Sequence, residues 1–275
     1  MSLDFSAKDE LRPLAALVGD LGPTASALGI PFFLMGAAAR DIRLRCQHGI
    51  QGLRATEDVD VAIAVDGWPA FTRLRDGLVH GRLFVADERK AAHRLVHRTG
   101  TPIDIVPFGE IEQVDRTIAW PPRGEECFDC FGLAEALATC EVVRLPAGAT
   151  IRVPSIPALA LMKITAWRDR QLTHPGRDAP DLLRYFRHYA ECGNLDRILA
   201  SPDLVNRPDY DHDEAGVRLL ARDVVALIDD SARVRLSSIV GPEADAQGTL
   251  RMARQSGMVL ERARRLIEVF AAELA

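Results

Sequence analysis

Two aspartates inside an apolar strand constrain this chain more than any other feature of its sequence. Residues 56–65 are mostly β-branched or apolar and predict a buried strand, yet Asp58 and Asp60 lie within it, two positions apart. Alternate strand residues point to the same face, so the two carboxylates are predicted to lie side by side. At about 4 Å and an effective dielectric constant of about 20, their repulsion costs roughly 4 kcal/mol. A cation between them removes this cost, and paired hard oxygens suit Mg²⁺.

For this pair alone the alternative is a strand end at which both aspartates face water, and two flanking segments favour the cation site instead. Upstream, residues 30–35 predict a short strand, and the helix that follows begins at Gly36-Ala37. Backbone amides at such a glycine turn, together with the helix dipole, favour a bound phosphate. Downstream, residues 101–108 predict another strand with Asp104 among isoleucines and valine, where a carboxylate is costly to bury without a partner.

These residues resemble the nucleotidyltransferase superfamily typified by DNA polymerase beta. The likeness covers residues 1–110 and is carried by the Gly36-Ala37 turn with Arg40, by the Asp58-x-Asp60 pair and by Asp104. Within the superfamily the chain is most similar to the bacterial AbiEii/AbiGii-type toxin nucleotidyltransferases. That likeness resumes over residues 156–181, on Lys163, Arg170, Arg177, Asp178 and Asp181. At the glycine turn the superfamily usually has Gly-Gly or Gly-Ser, so Ala37 departs from the pattern and removes a side-chain hydroxyl.

The resemblance implies an α/β (α+β) fold in two parts. Residues 1–152 would form a nucleotidyltransferase core with a mixed sheet flanked by helices. Residues 153–275 would form a helical domain that completes the nucleotide and acceptor site. The sequence itself changes character at Pro154, where strand-like alternation gives way to apolar residues at helical spacing.

The resemblance also implies an activity: metal-dependent transfer of NMP from an NTP to an acceptor hydroxyl, such as an RNA or tRNA 3′ end. The protein would be the toxin of an abortive-infection or toxin–antitoxin pair, with an antitoxin protein as its partner. Mg²⁺ or Mn²⁺ would be the cofactor, and Asp104 would also help to deprotonate the acceptor. The predicted catalytic residues are Asp58, Asp60, Asp104 and Lys163, of which the three aspartates are the metal ligands, and the predicted nucleotide-binding residues are Gly36, Ala37, Arg40 and Asp178.

Several alternatives stay open. Lys163 either reaches the triphosphate or extends from an apolar helix face into solvent. Asp178 and Asp181 either serve the nucleotide or Lys163, or act as a helix cap and a salt-bridge partner. The same core would also suit a small-molecule, antibiotic-type nucleotidyltransferase, which needs an acidic, closed acceptor pocket. The Gly36-Ala37 turn leaves room for a non-catalytic nucleotide-binding module.

Composition narrows the class of protein. The net charge of −5 and the pI of about 5.8 argue against a generic nucleic-acid coat. The five cysteines, an odd number, fit a reducing cytoplasm. No apolar run is long enough to predict a membrane span, and the N-terminal residues do not predict a signal peptide.

Local patterns complete the prediction. Apolar spacing predicts a helix over residues 7–28 that is interrupted near Gly22-Pro23, and further helices over residues 213–228 and 244–274. Residues 109–130 predict a rigid, proline-containing loop with little room for regular structure, and residues 141–145 and 150–153 predict a hairpin around Pro146-Ala147-Gly148. His93 and His97 are four apart on a predicted strand, which favours solvent-exposed residues over a metal pair.

Overall fold

The structure is a computed structural model that describes residues 3–51, 58–86, 93–121, 124 and 127–275. The chain divides into two compact units, Met1–Ser155 and Ile156–Ala275, called unit 1 and unit 2 below. Unit 1 combines sheets with helices, and unit 2 is helical over its described elements. This architecture confirms the predicted mixed α/β fold class.

All of the described strands belong to unit 1. They are β1 (Leu3–Asp4), β2 (Phe32–Met35), β3 (Val59–Ala64), β4 (Phe84–Ala86), β5 (Arg94–His97), β6 (Pro102–Phe108), β7 (Thr117–Ala119), β8 (Cys127–Asp129), β9 (Glu141–Arg144) and β10 (Thr150–Val153). The central sheet has the order β2-β3-β6-β5-β4. Strands β3 and β6 run parallel, and the other three pairs are antiparallel. The acid-containing strands β3 and β6 therefore lie next to each other, and neither is an edge strand of this sheet.

Helices account for most of the remaining regular structure of both units. Unit 1 contains α1 (Arg12–Ala27), α2 (Gly36–Asp41), α3 (Trp68–His80) and α4 (Leu133–Ala138). Unit 2 contains α5 (Ile156–Arg170), α6 (Ala179–His188), α7 (Leu195–Leu199), α8 (Pro202–Val205), α9 (His212–Val225), α10 (Asp230–Ala244), α11 (Arg251–Gln255) and α12 (Leu260–Leu274). Within the described residues, no helix has the length and apolarity that crossing a membrane would require.

Two smaller sheets accompany the central one. The predicted hairpin of β9 and β10 is confirmed, and β1 adds to it in parallel with β9. The prediction of a rigid loop with little room for regular structure over residues 109–130 is wrong, because β7 and β8 pair there in antiparallel register. Asp115 accepts hydrogen bonds from the backbone and hydroxyl of Thr117, which fixes the chain where β7 begins. Backbone groups in the described part of this segment thus find hydrogen-bond partners within the segment itself.

Helix α1 runs through the position where an interruption was predicted. Pro23 lies inside it, and the helix ends only at Ala27. A proline removes one backbone donor, but Leu17, Leu21 and Ala25 keep one continuous buried face across it. Burial of that face offsets the lost hydrogen bond, so the predicted break is wrong.

The helix after β2 changes its hydrogen-bonding pattern and carries a buried arginine. Helix α2 passes directly into a π-helical segment, Ile42–Gln47. Arg43 in this segment donates to the carbonyls of Val153 and Pro154, at 2.7 and 2.6 Å, and to the carboxylate of Glu141 at 2.5 Å. A buried guanidinium needs such acceptors, because desolvating an uncompensated charge is costly. Arg43 therefore fastens the α2 segment to β10 and β9.

Unit 2 is built from helices packed around an aromatic and aliphatic core. The rings of Phe186 on α6 and Phe270 on α12 stack with centroids 4.7 Å apart. Asp211 and Asp229 cap α9 and α10, each accepting a hydrogen bond from a backbone amide three residues on. The single helix predicted over residues 244–274 is wrong: α11 and α12 are separate, and Gly257 between them has a left-handed φ of +75°.

Candidate active site

The central sheet brings two of the predicted acids together. In the parallel pairing of β3 with β6, Asp60 lies directly opposite Asp104. Residues opposite each other in neighbouring strands point to the same face, so both carboxylates lie on one side of the sheet. Asp58 immediately precedes β3, two residues before Asp60, and shares that face. These three aspartates are called the acidic edge below.

Gly36 closes one side of the acidic edge. Met35, the last residue of β2, is the antiparallel partner of Asp60, so α2 begins next to that carboxylate. Gly36 has a φ of +64°, and a Cβ atom there would overlap Oδ2 of Asp60 and lie 2.9 Å from its Cγ. Both the backbone conformation and the space require glycine. The predicted glycine turn thus lies against one of the predicted metal ligands, Asp60, with Ala37 next to it in α2.

Arg94 is the residue of this site that the sequence prediction missed. It is the antiparallel partner of Asp104, at the start of β5. Its Nη2 atom lies 3.5 Å from Oδ2 of Asp58, and its Nε atom lies 3.6 Å from Oδ1 of Asp104. One guanidinium therefore spans two of the three acids. The turn after β5 carried a signal for this pairing, because a tight reversal over residues 98–100 sets Arg94 opposite Asp104.

The donor set of the acidic edge fits a hard divalent cation. Carboxylate oxygens are the ligands that Mg²⁺ and Mn²⁺ prefer, and three of them share one face of the sheet. Across the described parts of the chain, no group of three or more His, Cys, Asp or Glu residues is placed so that it could hold a metal ion as the side chains stand. In this structure Arg94 stands between Asp58 and Asp104 instead. Asp58, Asp60 and Asp104 are the residues that would hold a cation.

Arg40 lies near this site in sequence but is buried. Only 1% of the residue is exposed, and its guanidinium donates to Oδ1 of Asp41 at 2.9 and 2.7 Å. A guanidinium held in this way packs α2 within unit 1 rather than presenting its charge to a phosphate. The geometry therefore gives no support to the predicted phosphate contact of Arg40.

In unit 2, Lys163 belongs to a compact ion-pair cluster. Its ammonium lies 3.1 Å from Oδ1 of Asp178 and 3.2 Å from Oδ2 of Asp181, and Arg170 donates to Asp178 at 2.7 and 3.0 Å. Asp178 and Asp181 are buried, and the Lys163 side chain is 14% exposed. The alternative of a solvent-exposed Lys163 is therefore wrong. Asp178 and Asp181 are salt-bridge partners of Lys163, an arrangement that fits both alternatives that the sequence left open for them.

The balance of charges in this cluster sets the ionisation of Asp178. Burial by itself would raise the pKa of this carboxyl group, since desolvation penalises the charged form. The positive charges of Lys163 and Arg170 outweigh burial, so the pKa of Asp178 lies below its ordinary value. Asp178 is consequently ionised at neutral pH, and its charge is part of the fold of unit 2.

The predicted solvent exposure of the histidines is wrong for His97. This residue is 1% exposed, its Nε2 lies 2.9 Å from Oδ2 of Asp20, and its Nδ1 lies 2.8 Å from the hydroxyl of Thr99. His93 is partly buried, with its ring 5.0 Å from that of Trp120. The reason is the alternation along β5, which turns His97 toward α1 and its Asp20.

A comparison of the sequence with protein families identifies the relatives of this site. The model of the family described as "Nucleotidyl transferase AbiEii toxin, Type IV TA system" matches residues 24–207. This chain belongs to the AbiEii family. The match spans the glycine turn, the acidic edge and the Lys163 cluster, and it confirms the resemblance inferred from those residues. Membership makes the chain a nucleotidyltransferase of the toxin–antitoxin class.

Solved structures offer weaker likenesses to this AbiEii-family chain. An antigenic nucleotidyltransferase-like protein from Paracoccidioides brasiliensis is 20% identical, with 82% of this chain and 92% of that chain covered and a TM-score of 0.40. ANT(2″)-Ia in complex with adenylyl-2″-tobramycin is 17% identical, with coverages of 83% and 98% and a TM-score of 0.35. No curated protein matches the sequence. The family membership therefore rests on the AbiEii match alone.

Proposed function

We propose that the protein transfers NMP from an NTP to a hydroxyl of an RNA acceptor, such as a tRNA 3′ end, with release of pyrophosphate. The observation that supports this most is the register of the central sheet, which sets Asp60 opposite Asp104 with Gly36 against the Asp60 carboxylate. Acids from two strands and a glycine turn from a third element share one edge. Such an edge suits a nucleoside triphosphate with its cation.

In this proposal each residue of unit 1 has a separate task. Asp58, Asp60 and Asp104 hold the divalent cation, Mg²⁺ or Mn²⁺, which supplies charge neutralisation at the transferred phosphoryl group when bound. Asp104 also accepts the proton of the attacking hydroxyl. The backbone amides of Gly36 and Ala37 donate to phosphate oxygens. Because phosphoryl-type transfer needs little covalent help, positioning and electrostatics are the main contributions of the protein.

The contribution of unit 2 is proposed from its own contacts. Two buried carboxylates fix the ammonium of Lys163, and a fixed charge stabilises a polyanion at a lower entropic cost than a mobile one. We assign Lys163 to the nucleotide phosphates and Asp178 to the orientation of Lys163. An antitoxin protein is the expected partner of an AbiEii-family chain, and a cytoplasmic location is part of the same proposal.

A labelling experiment tests the activity. The purified chain is incubated with each α-labelled NTP, Mg²⁺ and total RNA, and the products are resolved on a denaturing gel. We expect label in an RNA band with wild type and none with Asp58→Asn/Asp60→Asn. Label in a small product, when aminoglycosides replace RNA, would instead favour the antibiotic-type alternative. Nucleotide binding without any transfer would favour the non-catalytic module.

A melting experiment tests the metal independently of turnover. A ligand that binds only the native state raises the free energy of unfolding by about 2.7 kcal/mol at a hundredfold excess over Kd. Millimolar Mg²⁺ with a non-hydrolysable NTP should therefore raise the melting temperature of wild type. The same addition should leave Asp58→Asn/Asp60→Asn unchanged. Equal shifts in both proteins would show that the cation binds elsewhere.

A further inference from the structure

Arg94 sits at the acidic edge in a way that packing does not explain. Its guanidinium reaches toward Asp58 and Asp104, on two different strands, and its side chain is 25% exposed. The nearest distances to these acids are 3.5 and 3.6 Å, which are at or beyond the limit of a hydrogen bond. Arg94 thus contacts both carboxylates through charge rather than through tight bonds.

Other arginines of the chain are held much more closely. Arg43 donates to backbone carbonyls at 2.6 and 2.7 Å, and Arg170 donates to Asp178 at 2.7 and 3.0 Å. Short charge-assisted hydrogen bonds are roughly twice as strong as neutral ones, so releasing Arg43 or Arg170 would be costly. Releasing Arg94 forfeits little hydrogen bonding. Because its side chain is partly exposed, the freed guanidinium can be hydrated.

We propose that Arg94 is a resident counter-ion of the acidic edge and competes with the divalent cation for Asp58 and Asp104. This inference rests on the proposed function, since it takes these acids as the ligands of the cation. In the absence of metal, the guanidinium lowers the repulsion between carboxylates that the sheet register forces together. A cation that binds Asp58 and Asp104 must displace it. Arg94 is therefore a positioning residue that sets both the stability of the metal-free edge and its affinity for metal.

Mn²⁺ binding measures this competition directly. The full-length chain is titrated with Mn²⁺, and the free ion is followed by its electron paramagnetic resonance signal. Arg94→Gln removes the competing charge, and ion pairs of this exposure correspond to a decrease in the Mn²⁺ Kd of roughly three- to tenfold. Arg94→Lys keeps the charge and should remain near wild type. Arg94→Met is a second neutral variant, for use if Arg94→Gln does not fold.

A matched control separates this effect from net charge. Arg98 lies just after β5 in the same unit and pairs with Asp20 at 2.7 Å, away from the three acids. Arg98→Gln makes the same change in total charge and should leave the Mn²⁺ Kd unchanged. A second readout needs no metal: in EDTA, Arg94→Gln should melt at a lower temperature than Arg94→Lys, because its acidic edge has lost a counter-ion.

Two results would overturn the inference, and they differ from a failure of the proposed function. The inference is wrong if the Mn²⁺ Kd of Arg94→Gln equals that of Arg98→Gln, or rises, while Asp58→Asn/Asp60→Asn still abolishes binding. In that case the metal site stands without the competition. If Asp58→Asn/Asp60→Asn binds Mn²⁺ as wild type does, the metal site itself is wrong, and the competition falls with it.

Discussion

The two acidic clusters of this protein differ in how closely cations pair with their carboxylates and in how deeply those carboxylates are buried. At the acidic edge of unit 1, Arg94 approaches Asp58 and Asp104 no closer than 3.5 Å, and all of these side chains are partly exposed. In unit 2, cations lie 2.7 to 3.2 Å from Asp178 and Asp181, and both carboxylates are buried. In the first cluster Arg94 is held at long distance and the acids that it faces are partly exposed, and in the second the ion pairs are short and the carboxylates are buried.

This difference separates a counter-ion that can be exchanged, Arg94, from a lysine, Lys163, that is fixed by its partners. A guanidinium held as loosely as that of Arg94 can be exchanged for a metal at little cost, because few of its hydrogen bonds are lost. A buried, tightly paired cluster cannot lose one member without leaving a desolvated charge. The sequence alone does not distinguish the two, since each is a set of aspartates among apolar residues. Contact distance and burial make the distinction.

The largest expected effect is on catalysis at the acidic edge. Asp104→Asn removes the proposed base and a metal ligand together, and general-base catalysis alone contributes about 10²–10⁴ in rate. NMP transfer should fall by at least this factor in the labelling assay. The NTP should still bind, as measured by calorimetry, because Asp58 and Asp60 remain.

Asp20→Asn is the control for this change. Asp20 is also an ion-paired aspartate of unit 1, but its partners are His97 and Arg98 rather than the acidic edge. Its loss should leave the rate of transfer unchanged. Transfer that survives in Asp104→Asn would exclude Asp104 from the mechanism.

At the Lys163 cluster of unit 2 the expected effect is on the free energy of unfolding. Lys163→Met keeps the apolar stem but removes the charge that pairs with buried Asp178 and Asp181. Breaking a buried ion pair from one side typically costs about 3–5 kcal/mol, and we expect the lower end because Arg170 still pairs with Asp178. Urea denaturation measures the change. Lys163→Met/Asp178→Asn should recover part of it, and a double variant no more stable than Lys163→Met would contradict the pairing.

The pH dependence of this difference follows from the lowered pKa of Asp178. A carboxyl whose pKa is depressed by folding stabilises the protein above its unfolded pKa, and this contribution is lost as the pH falls through the folded value. Lys163→Met removes one of the charges that depress the pKa. The gap in unfolding free energy between wild type and Lys163→Met should therefore be full at neutral pH and shrink in acid. A gap that does not change with pH would mean that lost packing, rather than charge, is the cause.

The smallest expected effect tests the geometry of the acidic edge. Gly36→Ala introduces a Cβ that overlaps the Asp60 carboxylate, and it places alanine at a positive φ. Gly29 has nearly the same φ, +66°, with no atom within 4 Å of an added Cβ, so Gly29→Ala has the backbone strain without the overlap. Gly29→Ala should lose about 1–2 kcal/mol of stability from its backbone conformation, and Gly36→Ala should lose that amount together with the cost of moving the Asp60 carboxylate. Only Gly36→Ala should also weaken Mn²⁺ binding, and equal affinities in the two variants would separate Gly36 from the site.

Much of the fold followed from local patterns in the sequence. The strands around Asp60 and Asp104 and the hairpin of β9 and β10 were predicted because alternation and turn residues act over short distances. The errors came from tertiary packing. Pro23 stays in a helix because its neighbours are buried, and the turn-rich segment around Thr117 pairs into strands. Local rules do not contain those contacts.

The candidate site divides along the same line. The predicted acids and the glycine turn meet because each lies at a recognisable strand end or turn. The burial of Arg40 and the presence of Arg94 depend on which strand lies next to which, and strand order is a long-range property. The hairpin register would have placed Arg94 opposite Asp104 if β5 and β6 had been paired in advance. Only the contact of Arg94 with Asp58, which requires β6 to lie next to β3, needed the strand order to be known.

The parallel pairing of β3 with β6 also bears on how the protein folds and unfolds. Asp60 and Asp104 are 44 residues apart, since 104 minus 60 is 44, and an α-helix and two further strands lie between them. Such long-range parallel pairs form slowly because their loop-closure entropy must be lost before the contacts form. We therefore expect the acidic edge to assemble after the folding transition state. A divalent cation bound there would then slow unfolding and leave the folding rate unchanged, which makes it a source of kinetic stability.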